Sequence, residues 1–552
     1  MIPKQERHIA YFSMEIGIDS SIPTYSGGLG VLAGDTIKSC ADLGVPLVAI
    51  TLLYEKGYFL QSLDEEGNQK ELPVSWNPRD LVTPLPHKVT VNIEGRPVAI
   101  RAWQYNVTGV MGYSVPVIFL DTDVEENAPQ DRAITHSLYG GDQRYRLAQE
   151  IILGIGGIRM LKELGFTSIK KYHMNEGHSS LLTLELLRVM DDDIEAVRKL
   201  CVFTTHTPVP AGHDQFPYDL VNSMLREFII PEMLKKYGGA ERLNMTLLAL
   251  NLSRYINGVA RRHGEVSREM FPGYSIDFIT NGVHSYTWSH DAFRKLYDKF
   301  IPGWTNDPFA LRYAMSIPNK EIWNAHMEAK HSLIEYINKA THAKFSTDVF
   351  TIGFARRAAL YKRMDMIFSN TQMLNYVAEH VEKLQFVFSG KAHPADWPAK
   401  ELIKKVYSYG KQFKDKIKIV YLENYDMELA KLLVSGVELW LNNPKRPSEA
   451  SGTSGMKAAH NGVPSLSVLD GWWVEGCIEG LTGWSIGSLN PKVDESEREI
   501  EDLYGKLQET ALIYYQDRER WVEIMRSTIA LNASFFNTHR MVQQYVLNAY
   551  FD

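Results

Sequence analysis

A lysine follows a loop of small residues near the carboxyl end of the chain. The segment is EASGTSGMK, which begins with Glu449 and ends with Lys457. Backbone N–H groups of such a loop, at the start of a helix, bind a phosphate group. Lys457 then either pairs with that phosphate as a point charge or forms an imine with an aldehyde cofactor that carries a phosphate. The G-x-x-x-x-G-K-[ST] spacing of a P-loop is absent, which disfavours an ATPase.

A cluster of basic residues follows a short apolar stretch in TIGFARRAALYKR. Arg356 and Arg357 come first, and Lys362 follows them. Guanidinium and ammonium groups both bind phosphate oxygens. Charges on a helix usually form a solvated face, but these two arginines fall in the loop expected after a strand. We therefore favour a phosphate site over a solvated helix face.

Three further loops follow strand-like stretches in the first half of the chain. They are SGGLG at 26–30, NEGH at 175–178 and TTHT at 204–207. The glycines allow either a close approach of a ligand or only a tight turn, and the two interpretations are balanced. A lone histidine is more often structural than catalytic, but His178 and His206 have polar neighbours that suit a hydroxyl-rich ligand.

Two acidic segments are weaker signals. Asp121-Thr122-Asp123 ends a strand, and Asp191-Asp192-Asp193 lies between helical stretches. A hard cation needs several oxygen ligands, which neither segment supplies alone. We expect ordinary structural and solvated carboxylates, and no metal site.

Two series of alternating strands and helices must position these loops. The first contains IAYFSME, VPLVAITLLY and YSVPVIFLDTD, and the second runs from DVFTIGFA to VELWLNNP. This alternation predicts an α/β fold of two Rossmann-like lobes with parallel sheets. Ligands of such sheets lie beyond the carboxyl ends of the strands, so we expect the lobes to face an interdomain cleft.

We divide the chain into four parts on this basis. Residues 1–290 form an amino-terminal α/β lobe with the glycine and histidine loops, and residues 291–345 form a helical connection. Residues 346–520 form a carboxyl-terminal α/β lobe that carries the basic cluster and Lys457. Residues 521–552 form helices, for which a return to the first lobe is one option.

Composition excludes several function classes. The chain has 552 residues, which is too long for one core, and its net charge of -7 argues against nucleic acid or an anionic membrane as a partner. No uninterrupted apolar run reaches the roughly 18 residues of a membrane span. Three scattered cysteines and a start without an apolar signal region favour a reducing, cytoplasmic compartment.

Taken together and in this order, the motifs resemble those of the α-glucan phosphorylases, the family of glycogen, starch and maltodextrin phosphorylases. EASGTSGMK is similar to the family's pyridoxal phosphate motif E-A-S-G-T-G-N-M-K, with Ser454 and Gly455 in place of Gly and Asn. RRAALYKR resembles the family's K-R-I-H-E-Y-K-R, with Arg356 in place of Lys. Further matches are SGGLG, NEGH, TTHTPVPAG, NGVARRH, ITNGV and ENYDMELAK.

The resemblance implies specific roles for residues of this chain. Pyridoxal 5'-phosphate would form an imine with Lys457, and its phosphate would contact Gly28, Arg356, Tyr425, Thr453 and Ser454. Catalytic Arg357 and Lys362, with the backbone around Gly27, would bind the substrate phosphate. The glucosyl unit would contact His178, His206, Asn281, Tyr361, Glu449, Ser451 and Gly452, of which His206 is also assigned to catalysis.

The implied reaction is phosphorolysis of terminal α-1,4-glucosyl units of a glucan or maltodextrin. Inorganic phosphate is the second substrate, and α-D-glucose 1-phosphate leaves with retained configuration. In the family, the cofactor's phosphate serves as a proton relay or electrostatic partner, and converging cations offset the repulsion between two phosphates. Family members are commonly dimers, so a homodimer is one expectation.

Two rivals stay open. A retaining glucosyltransferase that uses a sugar nucleotide, such as a glycogen synthase, would share both lobes and the region of Glu449. Many such enzymes carry a second glutamate eight positions later, where this chain has Lys457. A non-catalytic glucan-binding homologue is the second rival, and the complete set of charged residues argues against it.

Overall fold

The chain forms two compact units. The computed structural model describes residues 4–226, 231–413, 416–489 and 495–551. The first unit comprises Met1–Phe59, Pro73–Thr280 and Met541–Asp552, and the second comprises Leu60–Leu72 and Asn281–Arg540.

The strands are short and mostly buried, as in α/β proteins. They are β1 (Ile9–Ser13), β2 (Leu47–Leu52), β3 (Leu60–Leu63), β4 (Gln69–Leu72), β5 (Thr83–Ile93), β6 (Arg96–Thr108), β7 (Ser114–Asp121), β8 (Lys171–Asn175), β9 (Cys201–Thr204), β10 (Gln215–Pro217), β11 (Arg242–Asn244), β12 (Tyr255–Gly258), β13 (Asp277–Phe278), β14 (Phe350–Ala355), β15 (Leu384–Ser389), β16 (Ile417–Leu422), β17 (Leu439–Asn442), β18 (Ser465–Val468) and β19 (Gly483–Ile486).

Helices connect most of the strands. They are α1 (Gly28–Asp42), α2 (Pro78–Leu81), α3 (Pro129–Arg132), α4 (Gln143–Ile151), α5 (Gly157–Glu163), α6 (Leu182–Val189), α7 (Ile194–Leu200), α8 (Tyr218–Met224), α9 (Pro231–Gly238), α10 (Met245–Asn251), α11 (Arg261–Met270), α12 (Ser285–Trp288), α13 (Asp291–Phe300), α14 (Asn319–Thr341), α15 (Thr371–Val381), α16 (Trp397–Gln412), α17 (Met427–Gly436), α18 (Ser454–Ala459), α19 (Trp473–Gly476), α20 (Ser496–Gln516), α21 (Arg518–Ser527) and α22 (Thr538–Tyr545).

The first unit is built on a nine-stranded sheet with the order β13-β12-β9-β8-β1-β2-β7-β6-β5. Neighbours are parallel from β13 to β7, whereas β6 and β5 add an antiparallel edge. Alternate residues of β1 enter different cores: Ala10 and Phe12 on one face, Ile9 and Tyr11 on the other. A strand buried on both faces explains the unbroken apolar run of IAYFS. The order reverses between β1 and β8, which places a topological switch point there.

The second unit contains a six-stranded parallel sheet with the order β16-β15-β14-β17-β18-β19. When the six strands of this sheet are numbered in chain order, their spatial order is 3-2-1-4-5-6. This is the strand order of a dinucleotide-binding Rossmann sheet. Its switch point lies between β14 and β17. The predicted fold class, α/β with two Rossmann-like units on parallel sheets, is confirmed.

Several local predictions are confirmed as well. The sequence KVTVNIEGRPVAIRAWQYNV predicts a hairpin that turns at Glu94-Gly95-Arg96, and it forms β5 and β6. The two strands pair antiparallel, and Glu94 and Gly95 at the turn have positive φ values of 56° and 77°. The spaced Leu, Ile and Met residues from about Gln143 to Leu164 predict a long helix, which is present as α4 and α5, joined by the π-helical turn Ile152–Gly156.

The grouping of Leu60–Leu72 with the second unit was not anticipated from the sequence. Strands β3 and β4 form a hairpin there, and two of its amides attach it to the loop after β15. Gln61 Nε2 donates to the carbonyl of Gly390 at 2.7 Å, and Gln69 Nε2 donates to that of Ala392 at 2.9 Å. The predicted boundaries at 290, 345 and 520 stay a prediction.

Within the described residues, no helix combines the length and the apolar character that a membrane span requires.

Candidate active site

Two charged loops meet at the switch point of the second unit. Arg356 is the first residue after β14, and Glu449 follows β17. Arg356 Nη2 and Lys362 Nζ each donate to the same carboxylate oxygen of Glu449 at 2.6 Å. Burial alone would raise the pKa of Glu449, but the two cations outweigh it and lower that pKa to about 2. Glu449 is therefore ionised at neutral pH.

Hydrogen bonds that end on main-chain carbonyls hold these two loops together. Arg363 Nε donates to the carbonyl of Asn443 at 2.8 Å, and its Nη2 donates to that of Pro444 at 3.0 Å. The N–H of Lys445 donates to the carbonyl of Tyr361 at 2.7 Å. The positions of Lys362 and Glu449 thus follow from the backbone and do not depend on their own ion pair alone.

Lys457 is buried, with 6% of its surface exposed. Its ammonium lies 3.9 Å from the centroid of the Trp288 ring, an arrangement that stabilises a cation. Asn461 fixes the pair, because its Nδ2 donates to the carbonyls of Trp288 and Lys457 at 2.8 and 3.1 Å. A buried amine on an aromatic face is kept apart from bulk water.

The loop before Lys457 needs small residues for packing. Gly452 has a φ of +74°, which side chains rarely adopt, and a Cβ on Gly455 would meet Trp472 at 2.7 Å. Gly455, which stands where the family motif has Asn, therefore leaves the space that the Trp472 side chain occupies. The hydroxyl of Ser454 accepts Trp440 Nε1 at 3.0 Å and still has a hydrogen to donate.

Buried polar atoms without a hydrogen-bond partner occur in the loops after β14 and β17. Among the described residues they include Arg356 Nε, the Ser451 hydroxyl and both amide atoms of Asn443. Buried polar atoms are nearly always paired in folded proteins. Unfilled donors and acceptors in these loops fit a ligand that is rich in oxygen atoms.

The other predicted residues of the second unit are less closely tied to Glu449. Arg357 is exposed, and Lys362 Nζ lies 4.4 Å from the ring centroid of Tyr361. Burial raises the pKa of the Tyr425 hydroxyl, which is near enough to Arg356 for the guanidinium to oppose that shift. Asn281 is buried, and its Oδ1 has no partner among the described residues.

In the first unit, the loops after β1, β8 and β9 are joined by side chains. His206 Nε2 donates to Asn175 Oδ1 at 2.7 Å, and Asn175 Nδ2 donates to the hydroxyl of Ser13 at 3.1 Å. Glu176 accepts the backbone N–H of His206 at 2.7 Å. Burial lowers the pKa of His206 to about 3, so its ring is neutral at physiological pH.

His178 contacts a partly buried charged group. Its Nε2 lies 3.5 Å from Asp214 Oδ2, which also accepts Arg146 Nε and Nη2 at 3.1 and 3.0 Å. Burial and, to a smaller extent, the Arg146 charge lower the pKa of His178 to about 3. His178 is therefore a neutral hydrogen-bonding group as well.

The glycine loop separates into two kinds of glycine. A Cβ on Gly30 would meet the Glu15 carboxylate and the Tyr25 side chain at 2.7 Å, so packing requires this glycine. A Cβ on Gly27 or Gly28 would meet no described atom within 4 Å. Packing therefore does not explain these two glycines, and a ligand contact at either of them stays a prediction.

Glu15 fixes the backbone of that loop. Its buried carboxylate accepts the N–H of Ser26 at 2.6 Å and that of Gly27 at 3.3 Å, and it accepts the Tyr139 hydroxyl at 2.8 Å. Burial raises the pKa of Glu15, although these bonds act in the opposite direction. The sequence pattern indicated Glu176 only as a polar neighbour of the histidines, and it did not indicate Glu15 or Trp288. The position of Glu15 two residues after β1 is the signal that could have pointed to it.

The acidic segments have structural contacts. Asp121 is buried and accepts Arg101 Nε and Trp103 Nε1 at 2.7 and 3.0 Å. Asp193 caps α7 by accepting the N–H of Ala196 at 2.9 Å. These contacts give Asp121 and Asp193 structural roles, whereas Asp123 lies beside Glu55 and His136. The expectation that neither segment forms a metal site stays a prediction.

Comparisons with known proteins agree with the motifs. The model of the carbohydrate phosphorylase family matches residues 130–480. The chain is 41% identical over 592 residues to the maltodextrin phosphorylase of Thermococcus litoralis, covering 99% of this chain and 70% of that protein. It is 35% identical over 620 residues to a glycogen phosphorylase of Mycobacterium tuberculosis, covering 98% and 70%. It is 33% identical over 607 residues to a glycogen phosphorylase of Aquifex aeolicus, covering 99% and 86%.

The family match includes Arg357, Lys362, Glu449 and Lys457, and the relatives align with nearly the whole chain. The chain belongs to the carbohydrate phosphorylase family and is a glycosyltransferase.

Proposed function

We propose that this chain is an α-1,4-glucan phosphorylase. It would cleave terminal glucosyl units of a glycogen or maltodextrin with inorganic phosphate and release α-D-glucose 1-phosphate with retention. The observation that carries the proposal is the buried group of Arg356, Lys362 and Glu449 at the switch point, in the same unit as buried Lys457. The names of the relatives, maltodextrin phosphorylase and glycogen phosphorylase, support the same substrates.

Pyridoxal phosphate is the proposed cofactor, and the residues of the second unit fit it. The amine of Lys457 would bind its aldehyde. Its phosphate would contact Arg356, Tyr425, Thr453 and Ser454. The unpartnered Nε of Arg356 supports this fit, because an oxygen-rich group would satisfy it. When bound, the cofactor's phosphate supplies a proton relay or an electrostatic partner to the substrate phosphate.

The charged side chains would act through electrostatics. Lys362 and Arg357 would bind the substrate phosphate and offset its repulsion from a second anion. Glu449 would orient the sugar and would not donate a proton, because its pKa of about 2 keeps it ionised at neutral pH. The substrate phosphate would therefore protonate the departing glucan oxygen itself.

The glucosyl unit would be bound by hydrogen bonds. Its contacts would be His178, His206, Asn281, Tyr361, Glu449, Ser451 and Gly452. Both histidines are neutral at physiological pH, so they would act as donors or acceptors to hydroxyl groups and not as charges. The contacts assigned to Gly27 and Gly28, with the substrate phosphate and the cofactor's phosphate, are part of the same proposal.

A direct test measures glucose 1-phosphate release from maltodextrin and inorganic phosphate, together with the vitamin B6 content of the purified protein. We expect both in the unaltered chain, and we expect borohydride to attach the cofactor to Lys457. Lys457→Ala should lose cofactor and activity. Lys431→Ala is the matched control, because Lys431 is on α17 and pairs with Glu428 of the same helix at i,i+3 spacing.

Three results would contradict the proposal. Turnover by a protein that contains no vitamin B6 derivative would remove the cofactor from it. Turnover of ADP-glucose without phosphorolysis would favour the sugar-nucleotide transferase instead. Glucan binding without turnover of either substrate would favour a non-catalytic homologue.

A further inference from the structure

The side chains predicted to bind two phosphates already have an anion between them. Glu449 Oε2 accepts both Arg356 Nη2 and Lys362 Nζ at 2.6 Å. The three side chains are buried, with 10%, 8% and 7% of their surfaces exposed for Arg356, Lys362 and Glu449. Two cations that converge on one oxygen form an anion site, and here a carboxylate occupies it.

Burial explains why the carboxylate is needed. Two cations left alone in a buried place would repel each other and lose hydration, which costs several kcal/mol per ion. Glu449 removes most of that cost in the absence of ligand. Asp470 accepts the N–H of Glu449 at 2.9 Å, so the backbone that carries the carboxylate is fixed as well.

The same three side chains cannot serve a phosphate and a sugar in this arrangement. A phosphate that binds Lys362 would lie beside the Glu449 carboxylate, and two anions in contact repel each other. A sugar hydroxyl that donates to Oε2 would have to compete with two charged donors, which form stronger hydrogen bonds. Phosphate binding to Lys362 therefore requires Glu449 to change partners, and that change also frees Oε2 for a sugar hydroxyl.

We propose that Glu449 is the internal counter-ion of Arg356 and Lys362, and that the substrate phosphate displaces its carboxylate from Lys362. The displaced carboxylate is then available to hydroxyl groups of the glucosyl unit. Phosphate and glucan should consequently bind with positive coupling, each raising the affinity for the other. This inference rests on the proposed function and adds to it a mechanism by which the two substrates influence each other.

The test is isothermal titration of the purified full-length protein with inorganic phosphate. Glu449→Gln keeps the shape of the side chain and removes its charge. We expect this variant to bind phosphate at least about tenfold more tightly, because the competing anion is gone. Glu428→Gln makes the same change in net charge at an exposed position on α17 and should leave phosphate affinity unchanged.

A second measurement covers the case in which Glu449→Gln folds poorly. In the unaltered protein, maltoheptaose affinity is measured with and without saturating phosphate, with chloride at equal ionic strength as the comparison. We expect phosphate to tighten maltoheptaose binding, and the coupling should be lost in Glu449→Gln. Equal or weaker phosphate binding by that variant, or independent binding of the two ligands in the unaltered protein, would overturn the inference.

Failure of this inference differs from failure of the proposed function. If the protein releases glucose 1-phosphate but Glu449→Gln binds phosphate no better, only the counter-ion role is wrong. If the protein has no phosphorolytic activity and no cofactor, the proposed function is wrong, whatever the titration gives.

Discussion

Glu176 accepts the backbone N–H of His206 at 2.7 Å, across two loops that follow different strands. The same carboxylate oxygen accepts the hydroxyl of Thr207 at 2.9 Å, and the other oxygen accepts the N–H of Gly177 at 2.9 Å. Glu176 has a φ of +79°, which is costly for a side chain of its kind. These bonds maintain that backbone and join the loop after β8 to the loop after β9.

Replacing Glu176 should therefore displace His206. We expect Glu176→Ala to lower the free energy of unfolding by about 2 kcal/mol, because buried N–H groups lose their acceptor. The rate of phosphorolysis should fall as well. Urea denaturation and a glucose 1-phosphate assay measure the two effects. Thr207→Val removes one donor only and keeps the bond to His206, so its losses should be clearly smaller; equal losses would refute this role of Glu176.

Stability should fall as the pH is lowered below about 6.5, the ordinary histidine pKa. His178 and His206 have folded pKa values of about 3, so the unfolded chain takes up protons in this range while the folded chain does not. The free energy of unfolding should decrease by at most about 1.4 kcal/mol per pH unit for each histidine.

Urea denaturation at several pH values between about 4 and 7, a range that includes the ordinary histidine pKa of about 6.5, measures this slope. His206→Gln removes one titrating group and should make the slope smaller. His380→Gln, at an exposed position on α15, should leave it unchanged. A slope that is the same in His206→Gln and the unaltered protein would show that His206 does not contribute.

Two glycines should respond in opposite directions to alanine. Gly455→Ala would place a Cβ 2.7 Å from Trp472 Cζ2 and 2.9 Å from Ser465 Oγ. We expect a loss of about 1–3 kcal/mol in the free energy of unfolding from this overpacking. Gly505 is exposed in α20, where a Cβ would meet nothing within 4 Å. Gly505→Ala should stabilise by up to about 1 kcal/mol, because glycine is a poor helix former.

Thermal and urea unfolding of both glycine variants measure these changes. If Gly455→Ala leaves the free energy of unfolding unchanged, Trp472 moves aside without cost. The packing explanation for a glycine at this position would then fail.

The free energy of unfolding of the second unit should depend strongly on a buried ion pair. Lys330 Nζ lies 2.8 Å from Glu438 Oε1, which also accepts His326 Nε2 at 2.7 Å. Burial would raise the pKa of Glu438, but Lys330 and His326 together outweigh it and lower that pKa. Lys330→Met should cost about 3–5 kcal/mol, because it leaves a buried carboxylate without its cation.

The double variant Lys330→Met with Glu438→Gln is the control, since it removes the stranded charge and retains an acceptor for the N–H of Thr351. We expect it to be more stable than Lys330→Met alone, as shown by its urea midpoint. Additive losses would mean that the two charges do not interact.

The sequence alone determined the local structure and the candidate residues. The apolar run of β1, the turn at Glu94-Gly95 and the helical spacing of α4 and α5 depend on neighbours along the chain, so a local pattern reveals them. The order of the motifs is also a property of the sequence. So is the presence of Ser454 and Gly455 where the family motif has Gly and Asn. These features were enough to indicate the family.

Only the tertiary structure decided which of those residues meet. Glu449 lies 93 and 87 residues from Arg356 and Lys362 along the chain, and they meet because β14 and β17 are neighbours at a switch point. The need for glycine at position 30 depends on Glu15 and Tyr25, which a sequence pattern does not place beside it. Contacts of this kind follow from strand order and crossover connections, which are set by the packing of the whole unit and not by local propensity.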